Sequence, residues 1–95
     1  MDIKPRGKAK RKRIDFEFEA PDAVSVFLAG SFNDWSLSKH PMKRSPGGVW
    51  KKSLVLVPGD YEYKIWVDGQ WCNDPLNERS CANCFGGANN IVCVR

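Results

Sequence analysis

Two tryptophans, a lysine and an asparagine lie where a chain turns, and together they could hold a sugar. Trp35 closes the segment Gly30-Ser31-Phe32-Asn33-Asp34-Trp35, Trp71 stands just past an Asp68-Gly69 turn, Lys64 lies on the strand leading into that turn, and Asn89 follows Gly86-Gly87. A pyranose has an apolar C–H face and a rim of hydroxyls. An indole covers the face, while an ammonium and an amide bond the rim. Aromatic pairing contributes about 0.5–1.5 kcal/mol beyond area burial, and a hydrogen bond from a charged donor about 1.5–3 kcal/mol. Such terms give weak, micromolar-to-millimolar recognition, which suits a repeating polymer. The competing reading is that tryptophans in a small domain are core. Trp50 shares a phase with Leu54 and Leu56 and is expected inside, whereas Trp66 shares the phase of Lys64 and its place stays open.

Other chemistry is less well supported. Cys72, Cys81, Cys84 and Cys93 have the spacing C-x8-C-x2-C-x8-C. One C-x2-C pair flanked by isolated cysteines is compatible with zinc, with disulfides or with a redox pair. Unpaired thiols are the expectation, because nothing suggests secretion. His40 is the single histidine and precedes Pro41, which reads as an exposed loop position. A hydrolytic triad needs a base and an orienting partner around a framed nucleophile, and a glycosidase needs two carboxylates across a cleft. Asp34, Asp68 and Asp74 each sit in a turn motif that accounts for them. The chain is expected to be no enzyme and to need no cofactor.

The elements that position these residues are strands. Ile14, Phe16 and Phe18 alternate with acids, and Val24, Val26 and Leu28 alternate in a second run after Pro21-Asp22. Trp50, Leu54 and Leu56 mark a third. Tyr61, Tyr63, Ile65 and Val67 share one face of a fourth, with Glu62, Lys64 and Trp66 on the other, and a return strand starts at Gln70. Period-two alternation marks half-buried strands, and Asp-Gly is a strong two-residue hairpin signal. Residues 36–48 and 73–88 read as irregular connections, and Asn90, Val92 and Val94 give a last strand. Six or so short strands with turns between them predict an antiparallel β-sandwich.

Charge is divided along the 95 residues. The net charge is +4, but residues 1–13 hold seven of the fifteen Lys and Arg and one of the eleven Asp and Glu, so they carry +6 and leave −2 to residues 14–95. So charged and apolar-poor a segment cannot offset its ordering entropy by burial, so residues 1–13 are predicted to be a disordered basic tail. Phosphate contacts through that tail would be steeply salt-sensitive, but it has no interleaved aromatics for base stacking. It reads as a solubilising arm, with nucleic acid a weak alternative. No apolar stretch approaches the ~20 residues of a membrane helix.

Several separated motifs carry a family resemblance. GSFNDWS (Gly30–Ser36), GVWKKSLVLVPGDYEYKIWVDGQW (Gly48–Trp71), the Asp74-Pro75 pair and FGGANNIVCV (Phe85–Val94) resemble carbohydrate-binding module family 48, in order and at matching spacing. That family contains the glycogen-binding domain of the AMP-activated protein kinase β-subunit and is related to the N-terminal domains of isoamylases and branching enzymes. The resemblance covers nearly all of residues 14–95 and implies an all-β, immunoglobulin-like antiparallel β-sandwich. It implies glucan contacts at Trp35, Lys64, Trp71 and Asn89. Where kinase-type modules often have a wedging leucine this chain has Phe85, implied as an apolar edge, and where a hydroxyl residue is common it has Gly87. Asp74-Pro75 is read as fixing the loop after Trp71. The function implied is non-catalytic binding of α-glucan of glycogen or starch type. A glucan-metabolising enzyme or a kinase-type partner subunit is the implied protein partner, and the location expected is cytoplasmic. The alternative is a protein-interaction scaffold of the same fold.

Overall fold

A computed structural model describes residues 11–82 and 87–95. Alternation builds the first of its two sheets. In β1 (Lys12–Glu19) Phe16 and Phe18 are buried while Asp15, Glu17 and Glu19 stay exposed. β4 (Val49–Leu56) runs antiparallel along all of β1, with Phe18 opposite Trp50 and Ile14 opposite Leu54. β3 (Lys43–Ser45) pairs with the other edge of β4.

The second sheet is centred on β5 (Gly59–Val67). β2 (Val26–Gly30) lies along one edge of it. On the other edge β8 (Ala88–Val94) pairs with residues 59–63, and β6 (Gln70–Cys72) pairs with residues 65–67. β7 (Ser80–Ala82) lies outside β8. The orders are β1-β4-β3 and β2-β5-β8-β7 with β6 on β5, and every pairing is antiparallel. Phe16, Phe18, Trp50 and Leu54 from the first sheet and Val26, Leu28, Tyr63 and Ile65 from the second form one core. The fold is the all-β antiparallel sandwich expected. Trp50 is buried as expected, and its indole N–H donates to the Ala20 carbonyl at 2.9 Å.

Four details differ from the sequence reading. Val24 is 85% exposed, and the second strand starts only at Val26. The Asp68 carboxylate accepts the backbone N–H groups of Val24 (3.0 Å) and Ser25 (2.8 Å), which keeps them out of the ladder. β3 and β7 lie inside stretches read as irregular, and each has three residues, too few to display alternation. Finally, Lys12 and Arg13 belong to β1, where the Arg13 guanidinium bonds Asp15 at 3.0 Å. Of the rest of the predicted tail, Arg11 is exposed and precedes β1, and residues 1–10 lie outside the described residues.

A buried polar cluster ties β5 to the segment after β6. Tyr63 donates its hydroxyl hydrogen to Asp74 Oδ2 at 2.7 Å and accepts from Asn77 Nδ2 at 3.0 Å. Asn90 Oδ1 accepts the Asp74 N–H at 2.8 Å, and its Nδ2 donates to the Asn77 carbonyl at 3.0 Å. Burial, the largest cause, and the neighbouring Asp74 push the Tyr63 hydroxyl far above its ordinary range, so it stays a neutral donor. Asp74 thus fixes the loop, as its place beside Pro75 suggested. Removing the hydroxyl in Tyr63→Phe leaves buried polar groups short of a partner, a loss of about 1–3 kcal/mol. A urea titration should show a lower midpoint at unchanged slope; an unmoved midpoint would contradict this role.

Candidate functional site

The outward face of the second sheet brings together Trp35, Lys64, Trp71 and Asn89, four of the five residues selected for glucan contact. Antiparallel register places directly opposed side chains on the same face. Trp66 of β5 is opposite Phe27 of β2 and Trp71 of β6, so three aromatic residues form one row. Lys64 is opposite Ala29, and Asn89 of β8 stands opposite Cys81 of β7. Because Asn90 pairs with Tyr63, Asn89 falls level with Lys64, and the polar row lies one pleat from the aromatic row. Glu62, opposite Ile91, begins the row beyond.

Trp71 is 45% exposed. Its ring meets Trp66 edge-on, with centroids 4.7 Å apart and planes at 65°. Trp35 meets Trp71 at 6.3 Å and 79°, so the two indoles form a corner. Trp66, left open by the sequence, therefore lies outward as the floor of this aromatic cluster. The Asp68-Gly69 hairpin sets Trp71 against Trp66; both turn residues have positive φ, 47° and 84°, the conformation this two-residue turn requires.

Trp35 is held by a residue the sequence reading passed over. Asn33 is buried in the short 3-10 turn Ser31–Asn33. Its Oδ1 accepts the N–H groups of Gly30 (3.1 Å) and Ser36 (3.2 Å), and its Nδ2 donates to the Leu28 carbonyl (3.0 Å) and to His40 Nδ1 (2.8 Å). The Trp35 N–H closes back on the Gly30 carbonyl at 2.9 Å. A side-chain amide bonded to backbone two or three residues away is a known loop device, and an Asn inside GSFNDW was the available signal. Gly30 is required for packing: a Cβ there would collide with the Glu62 carbonyl and the Phe32 ring.

His40 is a correction. It is half-buried, with Phe32 edge-on at 6.1 Å, rather than an exposed loop residue. The single side-chain oxygen of Asn33 accepts two backbone N–H groups, so its nitrogen must face His40. Nδ1 is then the acceptor and the ring proton sits on Nε2. Burial, followed by the charges of Lys52 and Lys39, holds its pKa below the ordinary 6.5.

Asn89 lies in β8 rather than a loop. It is buried, and its Nδ2 donates to Glu62 Oε1 at 3.0 Å. Lys64 is half-buried on the outward face. Phe85 and Cys84 lie outside the described residues. Cys72 points inward, opposite Ile65 and against the core, while Cys81 and Cys93 lie outward. The zinc candidates Cys72, Cys81 and Cys93 therefore fail to converge, and no group of three metal-ligating side chains occurs among the described residues. Burial and the adjacent Glu62 raise the Cys81 thiol. No helix among the described residues is long and apolar enough to cross a membrane.

Residues 13–95 match the family model described as the glycogen recognition site of AMP-activated protein kinase. The chain is 38% identical over 99 residues to Protein PTST homolog 2, chloroplastic, of Arabidopsis thaliana, covering 92% of this chain and 18% of that protein. It is 44% identical over 72 residues to Protein FLOURY ENDOSPERM 6, chloroplastic, of Oryza sativa subsp. japonica, covering 76% of this chain and 13% of that protein. With the 5'-AMP-activated protein kinase subunit beta-1 of Sus scrofa it shares 43% over 95 residues, covering 100% of this chain and 74% of the subunit. The chain thus spans a small part of the two plant relatives. Their chloroplastic designation overturns the expectation of a cytoplasmic protein.

His40 makes the Trp35 loop sensitive to acid. A histidine whose pKa is lowered by folding binds protons more readily when unfolded, so its contribution to stability is complete above the unfolded value of 6.5 and is lost as pH falls below it. Protonation would also set an N–H of His40 against the Asn33 amide. Since the chain has one histidine, urea titrations between about pH 7.5 and 5.5 isolate it. Stability should fall with pH in the wild type and stay level in His40→Gln; equal slopes would rule the device out.

Proposed function

The chain belongs to the family of the glycogen recognition site of AMP-activated protein kinase, and from that premise we propose that its outward aromatic corner is where an α-glucan binds. As a member it is a glycogen-recognition module. The observation that carries the proposed site is the near-perpendicular Trp35–Trp71 pair beside the row holding Lys64 and Asn89. One indole stacks on the C–H face of a glucose ring while the other closes its side. Lys64 donates to hydroxyls, Asn89 shapes the polar wall, and Phe85 supplies an apolar edge. A curved α-linked chain presents successive ring faces to a corner more readily than a flat ribbon does. The two chloroplastic relatives support a plastid setting, where the α-glucan is starch.

The module acts without catalysis, delivering whatever it is joined or bound to onto the polymer. A glucan-metabolising enzyme or a kinase-type subunit is the corresponding protein partner, and the kinase β-subunit relative supports the second.

Co-sedimentation with glycogen and with starch granules tests the site. The wild type should pellet, and Trp35→Ala and Trp71→Ala should each weaken binding about tenfold or more, because a buried aromatic anchor carries a disproportionate share of binding energy. A wild type that stays in solution, or three proteins that pellet equally, would refute the assignment.

A further inference from the structure

The outward face carries a carboxylate that the site described so far leaves unused. Glu62 lies in β5 on the same face as Lys64, one pleat further from the aromatic row. Its Oε1 accepts from Asn89 Nδ2 at 3.0 Å, and the Cys81 thiol bonds it as well. Its backbone N–H donates to Ser31 Oγ at 3.1 Å, and its carbonyl lies against Gly30. Glu62 therefore joins three things: the start of the loop that presents Trp35, the strand that presents Lys64, and the buried amide of Asn89.

The chemistry of the ligand gives this residue a task. Lys64 offers only donors, while sugar hydroxyls both donate and accept. Beside it the Asn89 amide carries a single acceptor oxygen, so a ligand rimmed with hydroxyl protons calls for a further acceptor. An ionised carboxylate has room for about four hydrogen bonds, so holding Asn89 leaves capacity for a sugar O–H. Resting on the glucan reading above, we propose that Glu62 is the polar anchor of the face: it positions the Asn89 amide and accepts a glucan hydroxyl.

Acid should expose this role. The bond from Asn89, and secondly that from Cys81, hold the Glu62 carboxyl below its ordinary 4.5, so it stays ionised until the medium is more acidic than that. The groups around it are Asp60 and Lys64 on β5, Asn89 and Ile91 on β8, Cys81 on β7 and Ser31 at the loop. Arg79, before β7, is engaged by Cys93. A lysine stays cationic throughout the acid range, and His40 is present in wild type and Glu62→Gln alike, so the part of the acid decline that Glu62→Gln lacks reports protonation of the Glu62 carboxyl.

Maltoheptaose titrations followed by tryptophan fluorescence, on the full chain from about pH 6 to pH 3.5, test the assignment. Near-UV circular dichroism at each pH confirms that the sandwich is intact. Glu62→Ala should weaken binding about tenfold at pH 6. Glu62→Gln keeps an acceptor for the Asn89 amide, so it should retain affinity within about threefold, and its affinity should not follow the acid decline of the wild type. Wild-type binding with Glu62→Ala unchanged, or with the same acid decline in Glu62→Gln, overturns the role of Glu62 and leaves the glucan site standing. Absence of wild-type binding overturns the glucan reading and this inference with it.

Discussion

A single buried amide holds the presenting loop in place. Asn33 uses both its oxygen and its nitrogen twice, toward Gly30, Ser36, Leu28 and His40. With those bonds made, the chain leaving β2 has one route, and Asp34 and Trp35 lie in left-handed backbone at φ 57° and 58°. Each such non-glycine position costs on the order of 1 kcal/mol or more. The strain persists because releasing it would leave the buried amide and its backbone partners unpaired, which costs more. Trp35 is thus aimed from behind, by a residue that touches the core rather than the outward face.

β5 supplies the second half of the arrangement. Its inward residues Tyr63 and Ile65 are nearly inaccessible, and its outward residues Glu62, Lys64 and Trp66 make the floor of the face. A slip of one residue would exchange the two sets. Three devices prevent it: the Asp68-Gly69 turn, the clamp of Asp68 on Val24 and Ser25, and the Tyr63–Asp74–Asn90 cluster. The same contacts that stabilise the sandwich therefore set the distance between the aromatic and polar rows.

Much of this was legible in the sequence where the signal is local. The alternation around Tyr63, the Asp-Gly turn and the phase of Trp50 each depend on neighbours in the chain, and each gave the right face. Trp66 could be assigned an outward phase but not a role, because that depends on Trp71 crossing the hairpin onto it. Glu62 and Asn89 are 27 residues apart, and only the β5–β8 register brings them together. His40 looked exposed because its partner, Asn33, lies across a loop. The cysteine spacing was uninformative for a related reason: strand register, not spacing, sends Cys72 to one face and Cys81 to the other. The family motifs pointed to the outward face and to Asp74 behind it, but not to the part played by Asn33, although it lies within GSFNDWS.

The four indole N–H groups give a direct view of ligand binding, because each tryptophan occupies a different environment. Trp50 is in the core, Trp66 under Trp71, and Trp35 and Trp71 at the corner. In a 15N–1H spectrum titrated with maltoheptaose, the Trp35 and Trp71 indole signals should move most, Trp66 less, and Trp50 should stay in place. Movement of none of the four, or of Trp50 as much as the corner pair, would contradict glucan binding at this face.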